Sequence, residues 1–214
     1  MVPYLIEHAG TVTNYDFLAG ESDRVTPALV RATRRPWMNS RISADEEAWF
    51  IEQGRSAPWH LVPPDAQLRD ADPTTVGALY GNASELWEHF RAAAPKRVGV
   101  AKISKVLYLM RPGFLPILDS RLTRMYDAAA KVAARDVAKA RPDLPKYSRL
   151  SWEAVRRDLL VNDAALMELR KALRDVPVAL ATEAADRLSD ARLMDMLAWS
   201  AAGEPEDEDQ DGQD

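Results

Sequence analysis

The sequence predicts an all-α fold, arranged as a single multi-helix domain, and three observations support this prediction. Residues that start helices recur along the whole chain, in several places followed by an acidic side chain at capping-box spacing. Apolar residues repeat at intervals of three and four, which is the helical period. No run of alternating apolar residues is bounded by hairpin turns, so the pattern does not indicate a sheet.

In the first quarter of the chain, two segments carry local start signals. Thr26 before Pro27 combines a capping hydroxyl with proline at the first helical position, which predicts a helix through about Arg34. Ser43 and Glu46 have the spacing of a capping box. The helix that they begin is expected to stop at Gly54, because glycine commonly ends helices.

The second quarter is expected to hold two further helices. Asp72-Pro73 predicts a short helix toward Tyr80. The segment Asn82–Glu85 has the composition of another start, with apolar side chains following it at helical spacing. A loop would therefore separate the two helices.

The central segment begins with a helix over Val98–Met110, in which apolar residues share one face while Lys102 and Lys105 lie on the other. Arg111-Pro112-Gly113 breaks this helix. Phe114–Leu118 is apolar throughout and is expected to run extended through the core.

Asp119 follows at the position of an N-cap and is expected to begin a long helix with two faces. An apolar stripe lies on one face, and a basic stripe lies nearly opposite. The basic stripe consists of Arg121, Arg124, Lys131, Arg135 and Lys139. Three more helices are predicted toward the C-terminus, starting at Ser151, at Asn162 or Asp163, and near Ser189.

Composition excludes several classes of protein. The chain has no cysteine, which rules out disulfides, thiolate metal sites and a cysteine nucleophile. No apolar run has the length of a membrane span, and the N-terminus lacks the features of a secretory signal, so we expect a cytoplasmic protein. The three histidines show no metal-binding spacing. We therefore expect no metal, no cofactor and no membrane partner.

Charge is distributed unevenly along the chain. Residues 91–150 contain 14 basic and 4 acidic residues, whereas the chain as a whole has a net charge of −5. Residues 204–214 contain seven acidic and no basic residues, so we expect a disordered acidic tail after a domain spanning residues 1–203. A concentrated positive charge indicates an anionic partner such as DNA. A solvated helical face neutralised by the rest of the fold is the alternative.

One resemblance covers about 30 residues. Arg97-Val98-Gly99-Val100-Ala101-Lys102, then a helix, then Pro116-Ile117-Leu118-Asp119 resembles the helix–hairpin–helix segment and catalytic aspartate of the DNA glycosylase superfamily. The resemblance implies that the amides near Gly99 hold a DNA phosphate and that Asp119 promotes departure of a base. The family's lysine nucleophile falls on Ala101, so a lyase activity is not expected, while a monofunctional hydrolase would still be compatible.

A second resemblance covers nearly the whole chain. Ala101–Leu107, Arg111-Pro112 and Pro116-Ile117-Leu118-Asp119-Ser120 resemble an uncharacterised bacterial family, in which a lysine-leucine helix precedes R-P-x-L-x-P-x-x-D-S. Trp152 and the segment Arg192–Asp195 agree with the C-terminal part of that family. This resemblance implies a shared fold and no particular activity.

These observations lead to one principal hypothesis and two alternatives. The principal hypothesis is a noncatalytic module that binds the phosphate backbone of nucleic acid. Its expected contacts are Gly99, Lys102, Lys105, Arg121 and Arg124. The first alternative is a hydrolase that releases bases by means of Asp119, whose simpler role is a helix cap. The second is a protein-interaction or regulatory domain, in which the acidic tail either occupies the basic face or only aids solubility.

Overall fold

The computed structural model describes residues 1–144 and 151–201, and the regular secondary structure of this part of the chain is helical. The prediction of an all-α fold is therefore confirmed. No strand occurs in the described residues, where the only β-type pairing is an isolated bridge between Arg34 and Ser40. The twelve α-helices in these residues are α1 (Val2–Glu7), α2 (Ala9–Asn14), α3 (Pro27–Ala32), α4 (Ala44–Ser56), α5 (Leu79–Ala92), α6 (Val100–Met110), α7 (Ser120–Met125), α8 (Asp127–Ala140), α9 (Glu153–Val161), α10 (Asp163–Asp175), α11 (Ala179–Arg187) and α12 (Asp190–Ala201).

Side-chain caps begin several of these helices where the sequence predicts them. The Thr26 hydroxyl accepts the Leu29 amide at the start of α3, at 3.3 Å. At the start of α4, the Ser43 hydroxyl accepts the Glu46 amide and the Glu46 carboxylate accepts the Ser43 amide, which completes the capping box. These two starts are confirmed because a cap is formed by residues close in sequence.

Gly54 does not end α4, which continues to Ser56, so that predicted end was wrong. A Cβ atom at position 54 would lie 2.6 Å from Cγ2 of Val25. Glycine is therefore required by the close approach of the Val25 side chain to the helix, and not by a turn of the backbone.

The prediction of two helices between Asp72 and Phe90 was also wrong, because one helix occupies the second half of this region and a turn the first. The Asp72 carboxylate accepts the Thr74 amide and the Thr74 and Thr75 hydroxyls, each at 2.8 Å, which holds a turn instead of a helix start. Helix α5 begins at Leu79 and runs through Asn82–Glu85 without interruption.

A single apolar core extends from Leu5 in α1 to Ala198 in α12. Its centre contains Trp87 and Trp152, both fully buried, with their ring centroids 5.6 Å apart and nearly perpendicular. The Phe114–Leu118 segment runs through this core, as predicted, but it begins in a turn, since the amides of Phe114 and Leu115 both donate to the Arg111 carbonyl. The Leu118 amide donates to the Ser104 hydroxyl at 3.0 Å. The segment thereby leads Asp119 from the interior to the surface.

The helix expected after Asp119 is divided into α7 and α8 at the buried Tyr126. Helices α1, α2 and α11 were not predicted, because they are short and α11 buries only alanines. Within residues 1–144 and 151–201, no helix has the length and apolarity needed to cross a bilayer. The predicted disordered tail at residues 204–214 lies outside the described residues.

Candidate functional site

Asp119 lies at the surface end of the buried segment and caps α7. Its Oδ1 atom accepts the Leu122 amide at 2.9 Å, and its carbonyl accepts the Thr123 hydroxyl at 2.7 Å. The residue is partly exposed. Its geometry is therefore that of an N-cap, which is the simpler of the two roles expected from the sequence.

The cap gives a direct prediction for Asp119→Ala. The substitution should lower the free energy of unfolding by about 1 kcal/mol, since the Leu122 amide loses its acceptor. Urea denaturation would measure this change. Asp119→Asn retains a capping oxygen and should cost only a few tenths of a kcal/mol. A loss of more than about 3 kcal/mol in Asp119→Asn would show that the negative charge matters more than the cap.

Lys102 is partly buried and paired within the protein. Its Nζ atom lies 2.7 Å and 2.9 Å from the two carboxylate oxygens of Glu46. Burial acts to raise the pKa of Glu46, but the hydrogen bonds from Lys102 and the Ser43 amide outweigh it and hold that pKa below its usual value. Lys102 therefore fastens α6 to the start of α4.

Lys105 is buried, so the expectation that it lies on a solvent face of its helix was wrong. Its Nζ atom donates to the Met38 carbonyl at 2.7 Å. Burial lowers the pKa of Lys105, and the negative charge of Asp119 opposes this effect. The physical reason is that other elements pack around most of α6, whose residues from Ile103 to Met110 are all buried.

Gly99 is exposed and precedes α6, where no side chain caps the first turn. Its α-carbon faces open space, because a Cβ atom there would meet nothing within 4 Å. The first backbone amides of α6 therefore have no side-chain acceptor, as at helix termini that bind anions. An open cleft near the same end of α6 is lined by Arg41, Ile42, Ser43, Glu46, Arg97 and Lys102.

The two predicted arginines of α7 differ in their surroundings. The guanidinium of Arg121 lies 3.9 Å from the ring centroid of Trp199, a cation–π contact that joins α7 to the end of α12. The rings of Tyr4 and His8 pack beside Trp199. Arg124 is exposed and makes no ion pair or hydrogen bond with another described side chain.

Three further bases follow on α8 at intervals of four residues. Lys131, Arg135 and Lys139 are all exposed. Lys131 forms one ion pair, with Asp127 at 2.7 Å, in which both side chains are more than half exposed. Such a pair contributes little and opens readily. We call Arg124, Lys131, Arg135 and Lys139 together the basic row.

Not all of the positive charge of residues 91–150 reaches the surface. Arg111 is buried and donates to the carbonyls of Val62, Met110 and Trp59. Arg141 is buried and pairs with Asp143. With Lys102 and Lys105, at least four of the bases in residues 91–150 are used for internal contacts, so the charge of this segment overstates the basic surface.

A buried charge network that sequence reasoning missed lies between α12 and the turn after α2. Arg192 donates to both oxygens of Asp16, at 2.8 Å and 3.2 Å, and to Asp195 one turn along the same helix. All three residues are at most 6% exposed. The available sequence signal was the presence of Arg192 and Asp195 on the apolar face of an amphipathic helix.

Asp195 has the less complete set of partners in this network. Its Oδ1 atom has no hydrogen-bond partner among the described residues, whereas both oxygens of Asp16 are bound by Arg192. Burial raises the pKa of Asp195 to about 6, although the charge of Arg192 opposes the shift. Asp195 also lines a cavity with room for about one water molecule, beside the Pro116–Leu118 segment.

Comparison with known proteins identifies one family. The model of a family of unknown function, DUF6308, matches residues 53–202, which is more than two thirds of the chain. No curated protein and no solved structure matches, so the resemblance to DNA glycosylases gains no support from these comparisons. No group of three or more histidine, aspartate or glutamate side chains in the described part of the chain could hold a metal ion.

Proposed function

The chain belongs to the family of unknown function DUF6308, and we propose that it binds the phosphate backbone of nucleic acid without catalysis. The observation that carries the proposal is the basic row, four exposed bases on two consecutive helices. Only one of the four, Lys131, has an acidic partner among the described residues, and that pair is exposed. Binding to phosphates would release counterions and would not depend on base sequence.

The arrangement of the basic row favours a repeating anion over an acidic protein. Lys131, Arg135 and Lys139 follow one another at about 6 Å along α8, since each helical residue rises 1.5 Å. Of the acids of α8, Asp136 pairs with Arg157, whereas Asp127 lies in line with the row and pairs with Lys131 in an exposed contact that contributes little. A row of one sign suits a polymer of one sign, whereas protein surfaces usually mix both.

The start of α6 offers a second contact in this proposal. The first amides after Gly99 could hold one phosphate, and the exposed Arg97 lies two residues before Gly99. Lys102 would have to leave Glu46 to take part. Lys105 would stabilise the fold and would not contact a phosphate, because its amino group donates to the Met38 carbonyl.

The proposal is tested by a salt series with a labelled DNA duplex and the triple variant Lys131→Gln, Arg135→Gln, Lys139→Gln. If all four bases of the basic row meet phosphates, the wild-type affinity should fall with log salt at a slope of about −3.6, and the variant at about −0.9. At low ionic strength, the variant should bind at least tenfold more weakly. Fluorescence anisotropy measures both quantities.

A matched control removes the same charge from other surfaces. Arg24, Arg55 and Lys171 are exposed and lie outside the basic row, so their joint replacement by glutamine should leave the salt slope unchanged. Equal losses in both triple variants would mean that only net charge matters, and would contradict the assignment of the surface. Absence of binding at low salt, both in the wild type and in a chain whose acidic residues 206–209 are replaced by their amides, would contradict the function.

Base release by Asp119 is the less favoured function. A glycosylase needs a pocket that accepts an extruded base beside the carboxylate. The cavity described beside the Pro116–Leu118 segment has room for about one water molecule. The same binding assay, followed by analysis of the DNA for abasic sites, tests this alternative, which requires that Asp119→Asn stop base release and leave binding intact.

A further inference from the structure

The end of α12 lies next to the beginning of the basic row. Helix α12 ends at Ala201 and packs against α7. The contact between Trp199 and Arg121 places the last turn of α12 beside the first turn of α7, and Arg124 follows three residues later. Ala201, the last described residue, therefore lies near the helix that carries Arg124.

The charge of these last residues is opposite to that of the surface near which they emerge. Residues 204–214 contain seven acidic and no basic residues, and the run Glu206–Asp209 is acidic at every position. The basic row carries four positive charges, three of them without an acidic partner among the described residues. Opposite charges held close by one chain attract at a high effective concentration.

The length of the tail is sufficient to cover the whole row. Thirteen residues follow Ala201, and they span up to about 44 Å when extended. Helix α8 has 14 residues and is about 21 Å long. The tail can therefore run from the end of α12 past Arg124 to Lys139.

We propose that residues 204–214 dock on the basic row of the same chain and compete with nucleic acid for it. The tail is then an electrostatic inhibitor, and the affinity for nucleic acid depends on its displacement. This inference rests on the proposed function for its consequence, but the docking itself requires only the basic row. The docking of the tail and the binding of nucleic acid can therefore be disproved separately.

The first experiment measures docking without nucleic acid. A labelled peptide of residues 204–214 is added to a full-length chain carrying Glu206→Gln, Asp207→Asn, Glu208→Gln and Asp209→Asn, in which the tail's own acidic run is neutralised. The peptide should bind at low salt, lose affinity as salt rises, and bind at least tenfold more weakly when Lys131, Arg135 and Lys139 are also replaced by glutamine. Absence of peptide binding, or binding that the second set of substitutions leaves unchanged, would overturn the docking.

The second experiment measures the consequence for DNA binding. The tail-neutral variant should bind a DNA duplex about tenfold more tightly than the wild type at low salt. A control with the same charge change replaces the exposed acids Asp23, Asp65, Glu85 and Asp175 by their amides, and its gain should be less than about threefold. Equal gains would assign the effect to net charge and overturn the inference. Peptide binding without any DNA binding would leave docking intact and reject the proposed function instead.

Discussion

Arg192→Met is expected to lower the free energy of unfolding by about 3–5 kcal/mol at pH 7, because it leaves two buried carboxylates without their counter-charge. Arg192 is the only base that hydrogen-bonds Asp16 and Asp195 among the described residues. Methionine retains most of the side-chain volume, so the loss reports charge and hydrogen bonding instead of a cavity. Urea denaturation followed by circular dichroism measures the change.

The control for this prediction removes the carboxylates as well. Arg192→Met combined with Asp16→Asn and Asp195→Asn leaves polar groups but no unpaired charge in the same place. This triple variant should recover at least half of the stability lost by Arg192→Met alone. If the triple variant is less stable than the single one, the network contributes through shape and hydrogen bonding, and the electrostatic explanation is wrong.

The contribution of Asp195 to the free energy of unfolding should decrease as the pH rises from about 4 to about 6. An aspartate of the unfolded chain loses its proton near pH 4, whereas burial raises the pKa of Asp195 in the folded chain to about 6. Between these values the folded chain binds more protons, so the free energy of unfolding decreases as pH rises. The contribution of Asp195 amounts to about 2–3 kcal/mol and is constant above pH 6.

Comparison with Asp195→Asn isolates this contribution. Other carboxylates also contribute: burial raises the pKa of Asp16 as well, whereas the pKa of Glu46 is lowered and its stabilising effect is lost as the pH falls. The difference in unfolding free energy between wild type and Asp195→Asn, measured by urea denaturation at several pH values, removes these common effects. It should change by about 2–3 kcal/mol in favour of the variant between pH 4 and pH 7. A constant difference would show that Asp195 has an ordinary pKa in the folded chain. Asp175→Asn, at an exposed site, serves as the control for the removal of an aspartate.

The basic segment shows what composition can predict about a surface. The excess of bases in residues 91–150 is a property of the sequence, and the exposed row on α8 agrees with the stripe expected from helical spacing. Lys105 departs from this expectation because a helix can be covered on more than one side. Helical period identifies which residues share a face, but not which faces meet other elements.

In the candidate site, too, short-range contacts could be predicted from the sequence and long-range contacts could not. Asp119 could be predicted as a cap because its partner, the Leu122 amide, is three residues away. The pairing of Lys102 with Glu46 could not be predicted, because the two residues are 56 positions apart and each also fits a solvated helix face. Their contact depends on how α4 packs near α6.

What the sequence by itself determined about this protein is mostly local: the all-α class, the capped starts of α3 and α4, the buried Phe114–Leu118 segment and the family to which the chain belongs. Only the tertiary structure decided which charged side chains are buried in internal contacts and which remain exposed to a partner. It buried Arg192 with Asp16, a residue 176 positions away, and left Arg135 and Lys139 at the surface. The physical reason is range, since caps and helical periods depend on neighbours within a few residues, whereas burial depends on every element that packs against a given face.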